Sequence, residues 1–309
     1  MKPPELHFLI PFYSNVPYLK EAVASVVAQS SSHWRLTVID DSGAPGNEVE
    51  TMLGAFRDPR IKYLKNPRNL GIASNWNRCL AVAETDLINI LHADDRLDPE
   101  FAARNVAASL RYPEAAAIFC RVRIIGHDGR PSWSVGDLYK QFLRPSSDQE
   151  FQLVGEAGVT ALLRGDFIFC PSLVYRRSKL RGEAFDASWS QVLDLEFLCR
   201  LLLLGHSLVG IPDQVFEYRR HAASQTGLLT ETRRRFSEES KLYQHLAQVL
   251  AARGWRLAAA TAARQRIIKL HLIFQALKAL LGGRWRGFGA YWTMFSRLGS
   301  GGGDHGGQH

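Results

Sequence analysis

Short apolar runs alternate with helical patterns through roughly the first 120 residues. Residues 7–10, 36–39, 61–64, 87–91 and 116–121 are short, predominantly apolar stretches bounded by turn-forming or charged residues, and they read as strands. Between them, 18–29, 47–56, 73–83 and 99–110 place apolar residues at steps of three and four, the spacing of helices with one buried face. Strand and helix repeated in this way predict an α/β fold, a parallel sheet with helices on its faces. Ligands bind such sheets beyond the carboxyl ends of the strands, so those ends are where chemistry is expected. After Arg121 the pattern loosens: 126–147 reads as a loop or hairpin region, and regularity returns at 159–164, 171–176 and 192–204. Residues 215–220 read as a last strand, everything beyond Thr230 as helical, and 299–309 as a flexible Gly-rich tail. The chain thus divides into an α/β domain (1–230), a helical C-terminal region (231–298) and a tail (299–309).

Composition narrows the class. With 46% hydrophobic and 22% charged residues, the chain is an ordinary globular one, which excludes global disorder, collagen and a disulfide miniprotein. Cys79, Cys120, Cys170 and Cys199 lie far apart with no CxxC pair, so they read as buried thiols of a reducing compartment rather than a zinc knuckle or a thioredoxin-type site. The opening residues show no apolar stretch with a cleavage site, and no run reaches the roughly 18 apolar residues of a membrane span. The expectation is a cytoplasmic protein, one able to lie peripherally on the inner face of a membrane. Net charge is +8, but its distribution matters more. Residues 233–297 carry thirteen Lys/Arg against two Asp/Glu, while the rest of the chain carries 25 against 28. The basicity is a C-terminal property, which argues against nucleic acid as partner and for an anionic surface.

The first strand ends in Pro11-Phe12-Tyr13-Ser14-Asn15, with no glycine anywhere from residue 1 to 42, so a Rossmann dinucleotide site has no support. Pro11 and Tyr13 offer a wall for a flat base; alternatively Tyr13 only covers the sheet. The second strand ends in Asp40-Asp41-Ser42-Gly43. One Asp suffices to cap the turn, and the other is available to a base N–H or a ribose hydroxyl. The fourth ends in His92-Ala93-Asp94-Asp95-Arg96-Leu97-Asp98-Pro99. Asp98 before Pro99 is the natural cap of the next helix, leaving Asp94 and Asp95 without a structural task. Two such carboxylates are hard ligands suited to Mg2+ or Mn2+ on a diphosphate, or else solvated surface acids.

Taken in order, IPFYSNVPYLKEAVASVVAQ, WRLTVIDDSG, NPRNLGIASNWNRCL and INILHADDRLDPEF resemble the family 2 glycosyltransferases of the GT-A fold, over about residues 6–222. The resemblance implies a GT-A-type mostly parallel sheet with flanking helices in 1–230, a nucleotide-sugar donor and a divalent metal, Mn2+ or Mg2+. By that likeness Pro11 and Tyr13 frame the base and Asp41 binds its polar edge. Asn69 and Gly71 in the third motif join the donor site, Asp94 contacts ribose or metal, and Asp95 contacts the metal. Ala93-Asp94-Asp95 stands where the family often has D-x-D. Asp194 matches the region of the catalytic base, with Leu193 where the family usually has an acid, and Glu196 is the second choice. Phe216-Glu217-Tyr218-Arg219-Arg220-His221-Ala222-Ala223-Ser224 resembles the family's Y-R-x-H-x-x-S segment, which implies His221 as a ligand of metal or diphosphate and Arg219 or Arg220 as a source of charge. Residues 169–177 resemble the acceptor side. The R/Q-x-x-R-W motif of processive synthases is absent, which points to single-sugar transfer.

The resulting expectation is a hexosyltransferase-type, metal-dependent, inverting enzyme. Its donor is a UDP-sugar first, with a dTDP- or GDP-sugar as alternatives, and its acceptor a saccharide or lipid-linked hydroxyl in cell-surface polysaccharide or lipid-linked oligosaccharide assembly. Two other classes fit parts of the sequence. An inactive nucleotide-binding scaffold fits the missing acid before Asp194, and a nucleic-acid-binding protein fits the basic balance but has no reading motif. The C-terminal region lies outside the resemblance. In 264–281, Ile267, Leu270, Phe274, Leu277 and Leu281 fall on one helix face, with Arg264, His271, Gln275 and Lys278 opposite. That face either packs on the catalytic domain or, with the Trp residues that follow, lies on an anionic membrane.

Overall fold

The structure, a computed structural model, describes residues 4–133, 135–146, 148–221 and 234–299. Strands β1 (Leu6–Phe12), β2 (Trp34–Asp40), β3 (Ile61–Lys65) and β4 (Leu87–Ile90) form a parallel half-sheet in the order 3-2-1-4. Helices α1 (Val16–Val27), α2 (Glu48–Gly54) and α3 (Ile72–Val82) connect them. The sheet continues through β8 (Leu173–Arg176), antiparallel to both β4 and β6 (Ala115–Ile125), and then β9 (Ser207–Arg219), parallel to β6. Short β5 (Arg96–Leu97) and β7 (Phe151–Val154) pair antiparallel with β9. Helices α4 (Phe101–Arg111), α5 (Val135–Leu143), α6 (Gly155–Arg164), α7 (Arg177–Leu180) and α8 (Leu193–Leu203) fill the second half. Beyond it lie α9 (Arg234–Ala252), α10 (Arg256–Arg264), α11 (Arg266–Leu281) and α12 (Trp285–Gly299). The α/β fold, flanking helices and helical C-terminal region are those the pattern implies; the sheet is parallel through β1–β4 and mixed beyond, where β5, β7 and β8 pair antiparallel.

The strands read as apolar runs because both faces of the sheet are covered. Along β1, Phe8 and Ile10 join a core with α1, α2 and α4, while Leu9 joins a second core with α3, α6 and α8. That two-residue alternation is a strand's own geometry. The second core runs on into Phe236, Leu242 and Leu246 of α9, Ala258 and Ala262 of α10, and Ile268 and Leu272 of α11. Polar links reinforce it: the Glu156 carboxylate of α6 accepts the Leu257 and Ala258 N–H groups (2.6 and 3.1 Å) at the start of α10, and Tyr243 donates to the Leu163 carbonyl (3.1 Å). The C-terminal helices therefore share a core with the sheet. The expected boundary at 230/231 and the tail from 300 onward lie outside the described residues.

Several local expectations change. Within 126–147, read as a loop or hairpin region, a turn closed by the antiparallel Ile125–Pro131 bridge agrees with the hairpin, and the helix α5 that follows is not among the expected elements. The last strand begins eight residues before the expected 215. Asp98 does not cap α4: the helix starts at Phe101, and Asp98 instead accepts the Glu100 N–H (3.0 Å) in the turn that leads into it. The Asp98 N–H also donates to the Val215 carbonyl (3.0 Å) of β9. On α11 the inward residues are Ile268, Leu272, Ala276 and Ala279, whereas Leu270, Phe274, Leu277 and Leu281 of the expected apolar face point outward. The helix is apolar almost all round, so periodicity alone does not choose the packed side. His271, expected on the polar face, packs its ring 4.9 Å from Phe236, and burial lowers its pKa to about 4.

Gly210 of β9 has no room for a side chain. A Cβ there would lie 2.5 Å from Phe151 Cζ and 2.9 Å from Phe119 Cζ. Gly210→Val is expected to lower stability by about 1–3 kcal/mol through overpacking. Urea denaturation followed by circular dichroism measures it, and an unchanged midpoint would show that the two rings yield freely.

Candidate active site

Parallel register brings the strand ends to one edge. Phe12 lies beside Asp40, and Leu9 beside Ile90, so the segments after β1, β2 and β4 leave the sheet on the same side. Pro11 is partly buried there, and Tyr13 stands out with 64% of its surface exposed. The two adjacent aspartates divide their work. Asp40 accepts the Ser42 N–H (2.9 Å) and the Tyr63 hydroxyl (2.8 Å). Burial pushes the Asp40 carboxyl up, but these bonds and Lys65 outweigh it and hold the group below its ordinary range. Asp41 gathers the loop before α3: Oδ1 accepts from Asn66 Nδ2 (2.9 Å) and Leu70 N (2.8 Å), and Oδ2 from Gly71 N (3.2 Å). Asn69 Nδ2 donates to the Asp41 carbonyl at 2.7 Å. Gly71 sits at φ 81°, a conformation glycine adopts without strain. Asp41, Asn69 and Gly71 are thus one hydrogen-bonded unit at the end of β2.

After β4, His92, Asp94 and Asp95 bring one ligand atom each within 4.8 Å of one another. Asp95 is 1% exposed, which excludes the reading as a solvated surface acid. It also has a structural task that the sequence hides: its Oδ1 accepts the Arg219 backbone N–H at 2.8 Å and fastens the end of β9. Its Oδ2 is buried without a hydrogen-bond partner, and so is His92 Nε2. Burial first, and the Asp94 charge second, push the Asp95 carboxyl well above its usual range. A divalent cation would relieve that penalty, so the donor set fits a hard or borderline metal ion. Burial lowers the pKa of His92 against the pull of Asp94, which favours the neutral, ligating imidazole. His92 was absent from the expected ligands. The signal was its position two residues before Asp94, at the end of the same strand.

His221 bonds Asp94 directly, Nε2 to Oδ2 at 2.8 Å, with the Tyr18 ring 5.3 Å from its own. Arg219 is 2% exposed, and each of its guanidinium nitrogens donates a hydrogen bond. Nε donates to the Asp94 carbonyl (2.7 Å), Nη1 to the His127 carbonyl (3.2 Å), and Nη2 to Glu21 of α1 (2.6 Å). It holds the Asp94–Asp95 loop in place, with its guanidinium hydrogen-bonded to the Asp94 carbonyl and to Glu21. Ala222 to Ser224 of the same segment lie outside the described residues.

Asp194 stands in the first turn of α8 and accepts the N–H of its neighbour Leu195 at 2.8 Å. Burial first, and the charge of Asp166 second, raise it to about 7, with Lys140 pulling the other way. Glu196 faces elsewhere, clasped by Arg200 at 2.8 and 2.9 Å. The turn leading to α8 is fixed from the C-terminal region, where Glu238 of α9 accepts from the Ser190 hydroxyl (2.9 Å) and the Gln191 N–H. Cys170 joins the two acidic groups. Its thiol, in the buried turn at Cys170–Ser172, is pushed up by burial and then by the charges of Asp194 and Asp166. Asn89 of β4 anchors that turn through the Pro171 and Leu173 carbonyls (2.9 and 2.8 Å).

The chain is similar to several known proteins. The chain is 25% identical over 241 residues to "Uncharacterized protein MT1568" of Mycobacterium tuberculosis, covering 77% of this chain and 74% of that protein. It spans 62% of three further mycobacterial relatives at the same identity. Among solved structures, the mannosyltransferase PcManGT of Pyrobaculum calidifontis, in complex with GDP-Man and Mn2+, superposes with a TM-score of 0.59 at 16% identity, over 96% of this chain and 85% of that one. Staphylococcus aureus TarS 1-349 in complex with UDP gives 0.56 at 14% identity, over 96% and 92%. These likenesses show the fold, that of GT-A glycosyltransferases. The model described as "Glycosyl transferase family 2" matches residues 8–168, which include the Asp40–Asp41 turn, the Asn66–Gly71 loop and the His92–Asp95 cluster, and the chain belongs to that family.

Proposed function

We propose that this chain transfers a single hexose from a nucleotide-sugar, a UDP-sugar first, to an acceptor hydroxyl with inversion, in polysaccharide or lipid-linked oligosaccharide assembly. The observation that carries the reading is the buried Asp95 Oδ2, which has no hydrogen bond, with His92 Nδ1 3.9 Å from it and Asp94 in the same cluster, at the edge where the Asp41-anchored loop also ends. The solved neighbours crystallised with UDP and with GDP-Man and Mn2+ support a nucleotide-sugar of this kind. In this reading Pro11 and Tyr13 line the base, and Asp41, Asn69 and Gly71 shape its pocket. Held by His92, Asp94 and Asp95, Mn2+ or Mg2+ would neutralise charge on the departing diphosphate. His221 orients Asp94 through their hydrogen bond, a role distinct from the ligation first expected of it.

Asp194 takes the acceptor proton as the new bond forms at the anomeric carbon and the bond to the diphosphate breaks on the opposite face. A base raised toward neutrality suits that task, because it is ionised at working pH yet still basic. The missing acid before Asp194 gives little weight to an inactive scaffold: Leu193 is buried in the core, so that position faces away from solvent. Hydrolysis of a nucleotide-sugar by the purified protein would dismiss the scaffold reading outright.

Two variants test the assignments. Asp95→Asn keeps an acceptor for the Arg219 N–H, so it is expected to fold normally but lose the Mn2+-dependent part of UDP stabilisation in a thermal-shift titration. Asp95→Ala should in addition lose about 1–3 kcal/mol, because it leaves that N–H unsatisfied. Unchanged Mn2+ dependence in Asp95→Asn would remove Asp95 from the metal site. Asp194→Asn is expected to bind donor normally and turn over about 10²–10⁴-fold more slowly. A base with its pKa raised to about 7 is protonated and idle below that pH, so wild-type kcat/KM should climb as pH rises through 7. Asp166→Asn, which removes a negative neighbour, should move this limb to lower pH; a limb that stays put would take Asp166 out of the environment of the base.

A further inference from the structure

We infer that the outward face of α11, with the aromatic flank of α12, is a docking surface for an anionic lipid leaflet. Leu270, Phe274, Leu277 and Leu281 recur at steps of four, three and four and all point to solvent, Leu281 with 89% of its surface exposed. These are not residues left over from a poorly packed helix. The opposite face of α11 is closed against the core by Ile268, Leu272, Ala276 and Ala279, and α12 packs along it. The two helices meet closely at Gly287, where a Cβ would lie 3.4 Å from that of Ala279. Trp285, 70% exposed, and Trp292, half exposed, add the amphipathic rings that favour a membrane–water boundary.

Charge selects the occupant. From Ser240 to Gly299 the sequence holds ten Lys/Arg and no Asp or Glu. Arg266 and Lys278 are exposed on α11, and Arg284 and Arg286 are exposed at the start of α12. A second copy of the chain would bring the same positive excess against itself, whereas an anionic leaflet complements it. Long basic side chains also lie along apolar surface while their heads reach phosphate groups. No helix among the described residues is long and apolar enough to cross a membrane, so the contact is a peripheral one. It stands apart from the transfer reaction and from the identity of the sugar.

The test uses the full chain, because residues as late as Leu272 belong to the common core and a truncation would expose it. Wild-type protein is expected to pellet with vesicles of phosphatidylglycerol and phosphatidylcholine at low salt, to release at high salt, and to ignore pure phosphatidylcholine. The triple variant Phe274→Ser, Leu277→Ser, Leu281→Ser changes only exposed or half-exposed side chains and should bind at least about tenfold more weakly, as should Arg284→Glu with Arg286→Glu. Circular dichroism verifies folding of each. If the apolar variant fails to fold, the charge variant decides. Failure of wild type to pellet, or undiminished binding by a folded variant, would overturn the inference. So would a wild-type dimer in light scattering that the apolar variant dissociates without any lipid binding, which would assign the face to a second copy.

Discussion

The buried guanidinium of Arg219 is the constraint around which the site is organised. An ion removed from water is costly unless every donor finds an acceptor. Arg219 finds acceptors on separate elements: the Asp94 carbonyl at 2.7 Å after β4, the His127 carbonyl at 3.2 Å after β6, and Glu21 of α1 at 2.6 Å. Its backbone N–H adds Asp95 at 2.8 Å. The Tyr18 ring closes the remaining face, 4.4 Å from the guanidinium carbon. Arg96 extends the network by pairing with Glu217 of β9 at 2.8 Å and with Glu21 at 3.3 Å. Moving any one of these segments would strand a buried charge, so the loop carrying Asp94 and Asp95 has a fixed position before any ligand arrives. That is the preorganisation electrostatic catalysis depends on.

The carboxylates at the strand ends show how similar residues acquire different duties. Asp40 is spent on its own turn and on Tyr63. Asp41 holds a neighbouring loop together. Asp95 gives one oxygen to Arg219 and leaves the other bare. Only the last pattern, half of a buried carboxylate unsatisfied, points to a missing positive partner, because a buried acceptor without one is otherwise expensive. On the far side of the Cys170 turn, Asp194 is shaped by the opposite circumstance: a second buried carboxylate near it raises its affinity for a proton.

The C-terminal helices belong to this machinery as well as to the surface. Glu238 fixes the turn before α8. Leu242 and Leu246 of α9 join the same core as Phe197 and Leu201 of α8. The helix bearing Asp194 is therefore held on one side by the sheet and on the other by a segment that begins after residue 233. A face of α11 turned outward can then meet another surface without disturbing the core within.

Much of this was legible locally. The alternation of apolar runs and helical spacing placed β1 to β4 and their helices, because a strand's period of two and a helix's of 3.6 are written in neighbouring residues. The same reading placed the acidic pairs at strand ends, and the motifs between them carried the family. What the sequence by itself did not determine is whatever depends on partners far along the chain. Arg219 clamps the Asp94–Asp95 loop, and His221 meets Asp94, because strands from distant parts of the sequence end at one edge. Helix α11 turns its longer apolar stripe outward and buries Ile268 and Leu272 in the core it shares with α6 and α9. Periodicity states how many faces a helix has to offer. Only packing, which exacts a cost for every void and every overlap, chooses between them.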